Sequence, residues 1–282
     1  MDQALALAHE IALRLGQIDG VAAVALGGSR ARGAAKPNSD IDLGLYYDPT
    51  HPPALAELRK LAQEVDDEHR AELVTDFGGW GRWINGGGWL KVNGIPVDWL
   101  YRNLAEVRQT LEECRAGVIT SDLNAGHPHA FHNYIYLGET HFCQPLYDPQ
   151  NLLAELKALA ETYPPLLKRA IINSFLWQAQ FALDISRKSV ARAESYYVAG
   201  CFFRCVVSLV QVLFALNEQF YMNEKGAVSL IESFELHPAN FERTVSAVMA
   251  HPGETAALLQ ANLERLEQLV AQTRQLVESY GD

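Results

Sequence analysis

Basic residues are scarce in this chain. It carries 23 Lys and Arg against 34 Asp and Glu, a formal net charge of −11 over 282 residues. That balance argues against a large phosphate-backbone footprint, because nucleic-acid-binding domains are usually basic. Most of the excess acid lies in the first half, with 20 acidic against 12 basic residues in 1–150; such a surface suits a cationic small substrate. Cysteine is rarer still. Cys114, Cys143, Cys201 and Cys205 are scattered, which excludes a disulfide framework. Cys201 and Cys205 lie a helical turn apart in an apolar stretch, with no second pair to complete a zinc site, so buried free thiols in a reducing cytosol are expected. No uninterrupted apolar run reaches the length of a membrane span. The start, Met1-Asp2-Gln3, lacks the basic region of a signal peptide. A cytoplasmic protein without a membrane partner is expected, long enough for two domains with real cores.

One stretch carries most of the chemistry: Leu26-Gly27-Gly28-Ser29-Arg30-Ala31-Arg32-Gly33, followed by Ser39-Asp40-Ile41-Asp42-Leu43-Gly44-Leu45. It reads as strand, tight turn, short helix, strand. Alternation puts Asp40 and Asp42 on one strand face and Ile41 and Leu43 on the other. The apolar pair can pack on a core; the carboxylates need water, basic partners or metal. They stand roughly 7 Å apart at a rise of about 3.3 Å per residue, a spacing that can bridge two divalent cations, and Mg²⁺ favours carboxylates combined with phosphate oxygens. Glycines permit close backbone approach, Ser29 offers a hydroxyl, and Arg30 and Arg32 can add charge-assisted bonds to phosphate. Together these features suggest a metal–nucleotide site.

Gly28-Ser29, ten intervening residues and Asp40-x-Asp42 resemble the signature of the DNA polymerase beta-like nucleotidyltransferase superfamily. The fuller run, Gly-Gly-Ser-x-Ala-Arg-Gly … Ser-Asp-Ile-Asp-Leu, is similar to its small-molecule branch, which includes aminoglycoside and lincosamide nucleotidyltransferases. The resemblance implies transfer of a nucleoside monophosphate from a nucleoside triphosphate, ATP as the expected donor, to a hydroxyl of an antibiotic-type small molecule, with release of pyrophosphate. Two Mg²⁺ ions would be held by Asp40, Asp42 and a third carboxylate on a later strand. Asp98 is the acidic residue so placed, and its role as ligand or as proton acceptor is left open by the sequence. Gly28, Ser29 and Arg32 would hold the β- and γ-phosphates. A helical second domain in such relatives lends a basic residue to the phosphates; Lys225 resembles that residue by position, at the end of a central helix, and Arg204 is the other candidate. Other readings are a protein- or tRNA-modifying nucleotidyltransferase of toxin–antitoxin type and a non-catalytic nucleotide-binding regulatory module.

The expected fold class is α+β, with a nucleotidyltransferase domain over 1–148 built on a small mixed sheet and an all-α bundle over 149–282. Helical periodicity spans 3–16, 53–66 and 104–116, and strands are expected at 21–26, 40–47 and 71–76. The glycine- and tryptophan-rich stretch 77–89 should form no regular element but can bring aromatic faces to a ligand. Asn93-Gly94 between apolar runs predicts a hairpin over 89–101. Three histidines in 127–132 read as a structural or substrate-edge loop, since Pro128 breaks a helix and metal-ligand spacing is lacking. Residues 144–149 read as a linker. Beyond 151 helices are expected at 151–162, 164–191, 195–222, 226–236, 239–250 and 254–279. The segment 197–220 is apolar on most sides, as a central bundle helix would be, with Arg204 and Gln211 two turns apart on one face. The stripe along the last helix packs on the bundle or on a second subunit, which would make a homodimer.

Overall fold

The chain opens with α1 (Gln3–Leu15), whose Ala4, Leu7, Ala8, Ile11, Ala12 and Leu15 form one buried stripe. The structure, a computed structural model, describes residues 3–281. They divide into two compact units, each of two segments: the residues up to Glu112 with Tyr136–Thr162, and Glu113–Ile135 with the residues from Tyr163 on. The boundary expected at 148/149 is a single cut, whereas the chain leaves the first unit near residue 112, returns near 136 and leaves again after 162.

A five-stranded mixed sheet organises the first unit. Strand β1 (Ala23–Leu26) runs antiparallel to β2 (Ile41–Tyr47) and, on its other side, to β7 (Gln144–Tyr147). Strand β2 pairs in parallel with β4 (Ile95–Asn103), and β4 forms a hairpin with β3 (Gly87–Val92). The spatial order is β3-β4-β2-β1-β7. Ile41, Leu43 and Leu45 of β2 and Val97, Trp99 and Tyr101 of β4 are all at most 1% exposed and make the inner face. Period-2 alternation therefore turns Asp42 and Asp98 to the opposite face. The single-turn helix α2 (Gly28–Ala31) joins β1 to β2. Helix α3 (Leu55–Val65) covers the core with Leu58, Leu61 and Ala62. A second single turn, α4 (Gly81–Ile84), precedes β3, and α5 (Leu104–Arg115) follows β4. The chain re-enters through α6 (Ile135–Phe142) and ends in this unit with α7 (Leu152–Leu159).

The β3–β4 hairpin has the expected Asn93-Gly94 turn, with φ of 53° and 78°, the left-handed pair of a two-residue type I′ loop. Asp66 and Asp67, just after α3, clamp it. Asp67 Oδ1 and Oδ2 accept from the Asn93 and Gly94 N–H groups at 2.7 and 2.8 Å. Asp66 accepts from Lys91 N–H at 3.0 Å and from Arg70 Nη2 at 2.6 Å.

Three expectations fail in this unit. Residues 71–76 form no strand; Val74 alone makes a bridge, to Gly88. His69 and Glu72 take φ of 51° and 61°, and a chain so bent cannot run extended. The glycine-rich stretch is not wholly irregular, because α4 forms within it and β3 begins at Gly87. A Cβ there would stand 1.7 Å from the Trp99 carbonyl oxygen, so glycine is what lets β3 lie against β4. The supposed linker at 144–149 contains the edge strand β7, where Pro145 is tolerated because an edge has one unpaired side.

In the second unit, β5 (Ser121–Asn124) and β6 (His127–His132) form a two-stranded hairpin where a loop was expected. The helices are α8 (Pro165–Ala191), α9 (Ser195–Leu216), α10 (Ala227–Ile231), α11 (Phe241–Ala250) and α12 (Ala256–Tyr280). By length and a mean hydropathy of 2.0, α9 could cross a membrane, but 78% of its most apolar window is buried inside the protein, which accounts for its composition. It stops at Leu216 rather than near 222. Glu218 turns left-handed at φ 54°. Its N–H donates to Ala215 O and that of Gln219 donates to Phe214 O, the paired bonds that close a helix C-terminus.

Candidate active site

Four chain segments contribute neighbouring positions to one row across the outer sheet face. Asp42 on β2 is the register partner of Asp98 on β4. Asp98 is in turn the partner of Trp89 on β3. On the other side of Asp42, the Gly27 N–H after β1 donates to the Asp42 carbonyl at 2.8 Å. With strands about 4.8 Å apart, the row runs from the glycine turn through two carboxylates to an indole.

Gly28 fits this row only as glycine. Its φ is +61°, and a Cβ would stand 1.8 Å from Asp42 Oδ2. The backbone of the turn therefore lies directly against the carboxylate. Ser29 follows in the first turn of α2, half-buried. Arg30 does not reach outward: its Nε donates to Asp40 O at 3.0 Å and its Nη2 to Ser39 O at 2.5 Å. It braces the backbone entering β2. Arg32 is half-buried, and its Nε is a buried donor with no protein partner, the state of a guanidinium built to meet an anion.

Asp40 precedes β2 and is exposed, held there by the Arg30 bond to its carbonyl. Among the described residues no group of three or more His, Cys, Asp or Glu is gathered closely enough to hold a metal ion. Asp42 and Asp98 are register partners, and Asp40 lies close enough to both to act on their carboxyl groups. Burial raises the Asp42 pKa, with Asp40 and Glu139 adding repulsion and Arg102 and Arg30 opposing it. Burial also raises Asp98, to about 6, with Asp42 and then Asp40 contributing. Two half-buried carboxylates side by side, each with its pKa raised by burial and by neighbouring carboxylates, suit a hard divalent cation that takes its other donors from water and phosphate.

Arg102 was not anticipated. It is 3% exposed, pairs with Glu139 through Nη2–Oε2 at 2.9 Å and Nε–Oε2 at 3.1 Å, and lies over the Tyr136 ring at 5.3 Å. It lowers the Asp42 pKa while Glu139 raises it, so the two members of the pair act on the carboxylate in opposite directions. Arg102 sits at an outer-face position of β4, in step with Asp98, so alternation alone does not mark it as buried. At the far end of the row Trp89 is 62% exposed, stacked on Trp80 at 4.5 Å between centroids and 21° between planes.

The other two basic candidates belong to the second unit. Arg204 is exposed, with Nη2 3.3 Å from Gln178 Oε1, while Gln211 is buried and accepts from Tyr134 Oη at 2.8 Å; the two do not share an environment. Lys225 is exposed in the turn between α9 and α10, not at the end of α9. The histidines of β6 gather around Glu224: His127 Nδ1 lies 3.1 Å from its Oε2, and His129 N–H donates to its Oε1 at 3.1 Å. Burial pushes His132 down to about 3, helped by His129. The His132 ring is stacked on that of Tyr134, with centroids 5.0 Å apart.

The site is thus a strand–glycine turn–strand that supports paired carboxylates, followed by the half-buried Arg32. Residues 9–115 match the family model of the nucleotidyltransferase domain, and most of that stretch lies in the first unit. A nucleotidyltransferase-like protein of known crystal structure from Exiguobacterium sibiricum aligns over 99% of this chain and 77% of its own, with 10% identity and a TM-score of 0.45. No curated protein sequence matches the chain.

Proposed function

We propose that the enzyme transfers a nucleoside monophosphate, AMP from ATP, to a hydroxyl of a small molecule in the presence of Mg²⁺. The observation that carries this reading is the row itself: Gly28 against the Asp42 carboxylate, and Asp42 beside Asp98. The glycine turn, Ser29 and Arg32 hold the triphosphate tail, with the Arg32 Nε supplying a charge-assisted bond. Asp42 and Asp98, with Asp40 beside them, would hold the cation. The bound cation supplies charge neutralisation at the phosphates and activation of the attacking oxygen. Asp98 is the carboxylate farther from the glycine turn, so it takes the proton of the acceptor hydroxyl. The hydroxyl oxygen bonds to the α-phosphorus, the bond from that phosphorus to the β-phosphate bridge oxygen breaks, and pyrophosphate leaves with the electron pair. An acidic chain favours a neutral or cationic acceptor over a polyanion.

The test is transfer of α-phosphate label from each nucleoside triphosphate, with Mg²⁺, to a panel of aminoglycosides, lincosamides, tRNA and proteins. Label on a small molecule, strongest with ATP and lost in Asp42→Asn, is expected. Turnover by Asp42→Asn at the native rate overturns the assignment of Asp42. Label on tRNA or protein instead moves the acceptor to another class.

A further inference from the structure

The glycine end of the row accounts for the donor phosphates and the two carboxylates for the chemistry, which leaves its other end, Trp89. Trp89 is 62% exposed. Its partner across the β3–β4 ladder is Asp98, so indole and carboxylate stand side by side, with Cβ atoms about 5 Å apart. Trp80 lies against one face of the indole at 4.5 Å, which fixes the ring and leaves the rest of its surface open. Trp80 comes from the glycine-rich approach to α4, where Gly78 and Gly81 have φ of 79° and 81°. Tight turns there bring a second indole onto β3. The carboxylate beside the platform accepts hydrogen bonds and repels anions, so a molecule lying on Trp89 must present donors toward Asp98 and carry no phosphate at that edge.

We propose that Trp89, backed by Trp80, is the acceptor-binding platform, and that the acceptor is a neutral or cationic hydroxylated ring lying face-on upon the indole with its reactive hydroxyl toward Asp98. The inference rests on the nucleotidyl-transfer reading for which hydroxyl is used, while ring binding at Trp89 stands or falls separately. A ring has an apolar face for the indole and a hydroxyl edge for the carboxylate; an open-chain polyol has no such face. A cationic substituent adds attraction to the indole and to Asp98. Stacking on the platform holds the hydroxyl at the carboxylate instead of leaving it to diffuse.

Two measurements test this. In saturation-transfer NMR on the full chain, methyl glucoside and 2-deoxystreptamine serve as ring probes and sorbitol as the open-chain control. Signal from the rings, little from sorbitol, and loss of the ring signal in Trp89→Ala with retention in Trp89→Phe are expected. Trp89 is exposed, so both variants should melt as the native protein does. Equal signal from sorbitol, no ring signal in the native protein, or a ring signal unchanged in Trp89→Ala overturns the proposal. In steady-state transfer, Trp89→Ala should raise the acceptor KM about tenfold, the scale of one lost stacking contact, without changing the KM of the nucleoside triphosphate. A change confined to the nucleotide KM assigns the indole to the donor and likewise overturns the proposal. Ring binding that depends on Trp89, in a protein that transfers no label, would retain the platform and refute nucleotidyl transfer.

Discussion

At Gly28 the backbone turns through φ +61°, and the space a methyl group would need is filled by the Asp42 carboxylate. Gly28→Ala therefore costs about 1–3 kcal/mol in backbone strain and pushes Asp42 out of line with Asp98. Thermal melting should show the loss of stability, and the transfer assay should show a larger loss of kcat than that destabilisation explains. Asp98 gives a second prediction. In the metal-free protein its carboxyl carbon should titrate in NMR with a midpoint near 6. In Asp42→Asn the midpoint should fall, because one repelling charge is gone, yet stay above the ordinary carboxylate range because burial, the largest cause, remains. The folded value exceeds the unfolded one, so between pH 3.8 and about 6 the folded state binds the extra proton. Stability from this group is full below that window and is lost as pH rises through it. A midpoint unmoved by Asp42→Asn would mean that the two carboxylates do not interact.

Among the elements, the β3–β4 hairpin carries both Asp98 and Trp89, and its register is enforced from outside by Asp66 and Asp67. A one-residue slip would turn both side chains to the core face. Arg70 and backbone N–H groups hold the Asp66 carboxyl well below its ordinary pKa against the opposing cost of burial. Its contribution to stability is present above about pH 4 and is lost as the pH falls. Asp66→Asn should lower the melting temperature at neutral pH, and the gap from the native protein should shrink as both are acidified below pH 4. A constant gap would show that the charge on Asp66 is not what holds the hairpin. This hairpin was legible in sequence because Asn-Gly and strict alternation are local signals. So were the glycine–serine turn and the outward Asp42 of β2. Strand β7 was not: four residues including Pro145 have no strand character until β1 offers a partner. The hairpin β5–β6 was missed for the same reason, with Pro128 suggesting a break. The false strand at 71–76 had apolar residues in order, but left-handed turns at His69 and Glu72 prevent extension. Arg102 was illegible because its partner, Glu139, lies 37 residues away.

Over the whole molecule, each compact unit is completed by a segment from the other side of the sequence. A fragment of residues 1–148 would lack α7, whose Leu153 and Leu156 are buried and whose Lys157 Nζ binds the Thr140, His141 and Cys143 carbonyls at 3.3, 2.6 and 2.8 Å. It would also carry 113–135 without the helices that bury Phe131 and His132. Such a fragment should be expanded and melt without a cooperative transition, as calorimetry would show. A sharp two-state melt would mean that the sheet and its own helices suffice.

The pairing of β1 with β7 also sets a schedule. Ala25 and Pro145 meet across more than a hundred residues, so during synthesis β1 emerges long before the strand that will close its free edge. Until then the nascent chain presents the open ladder of Ala23–Leu26, an apolar segment able to pair with any extended neighbour. Topologies with such distant pairings fold slowly, and transiently open edges are where aggregation starts. Yield of the folded protein should therefore be governed less by the stability of the finished sheet than by how long that edge waits, and by what shields it on the ribosome.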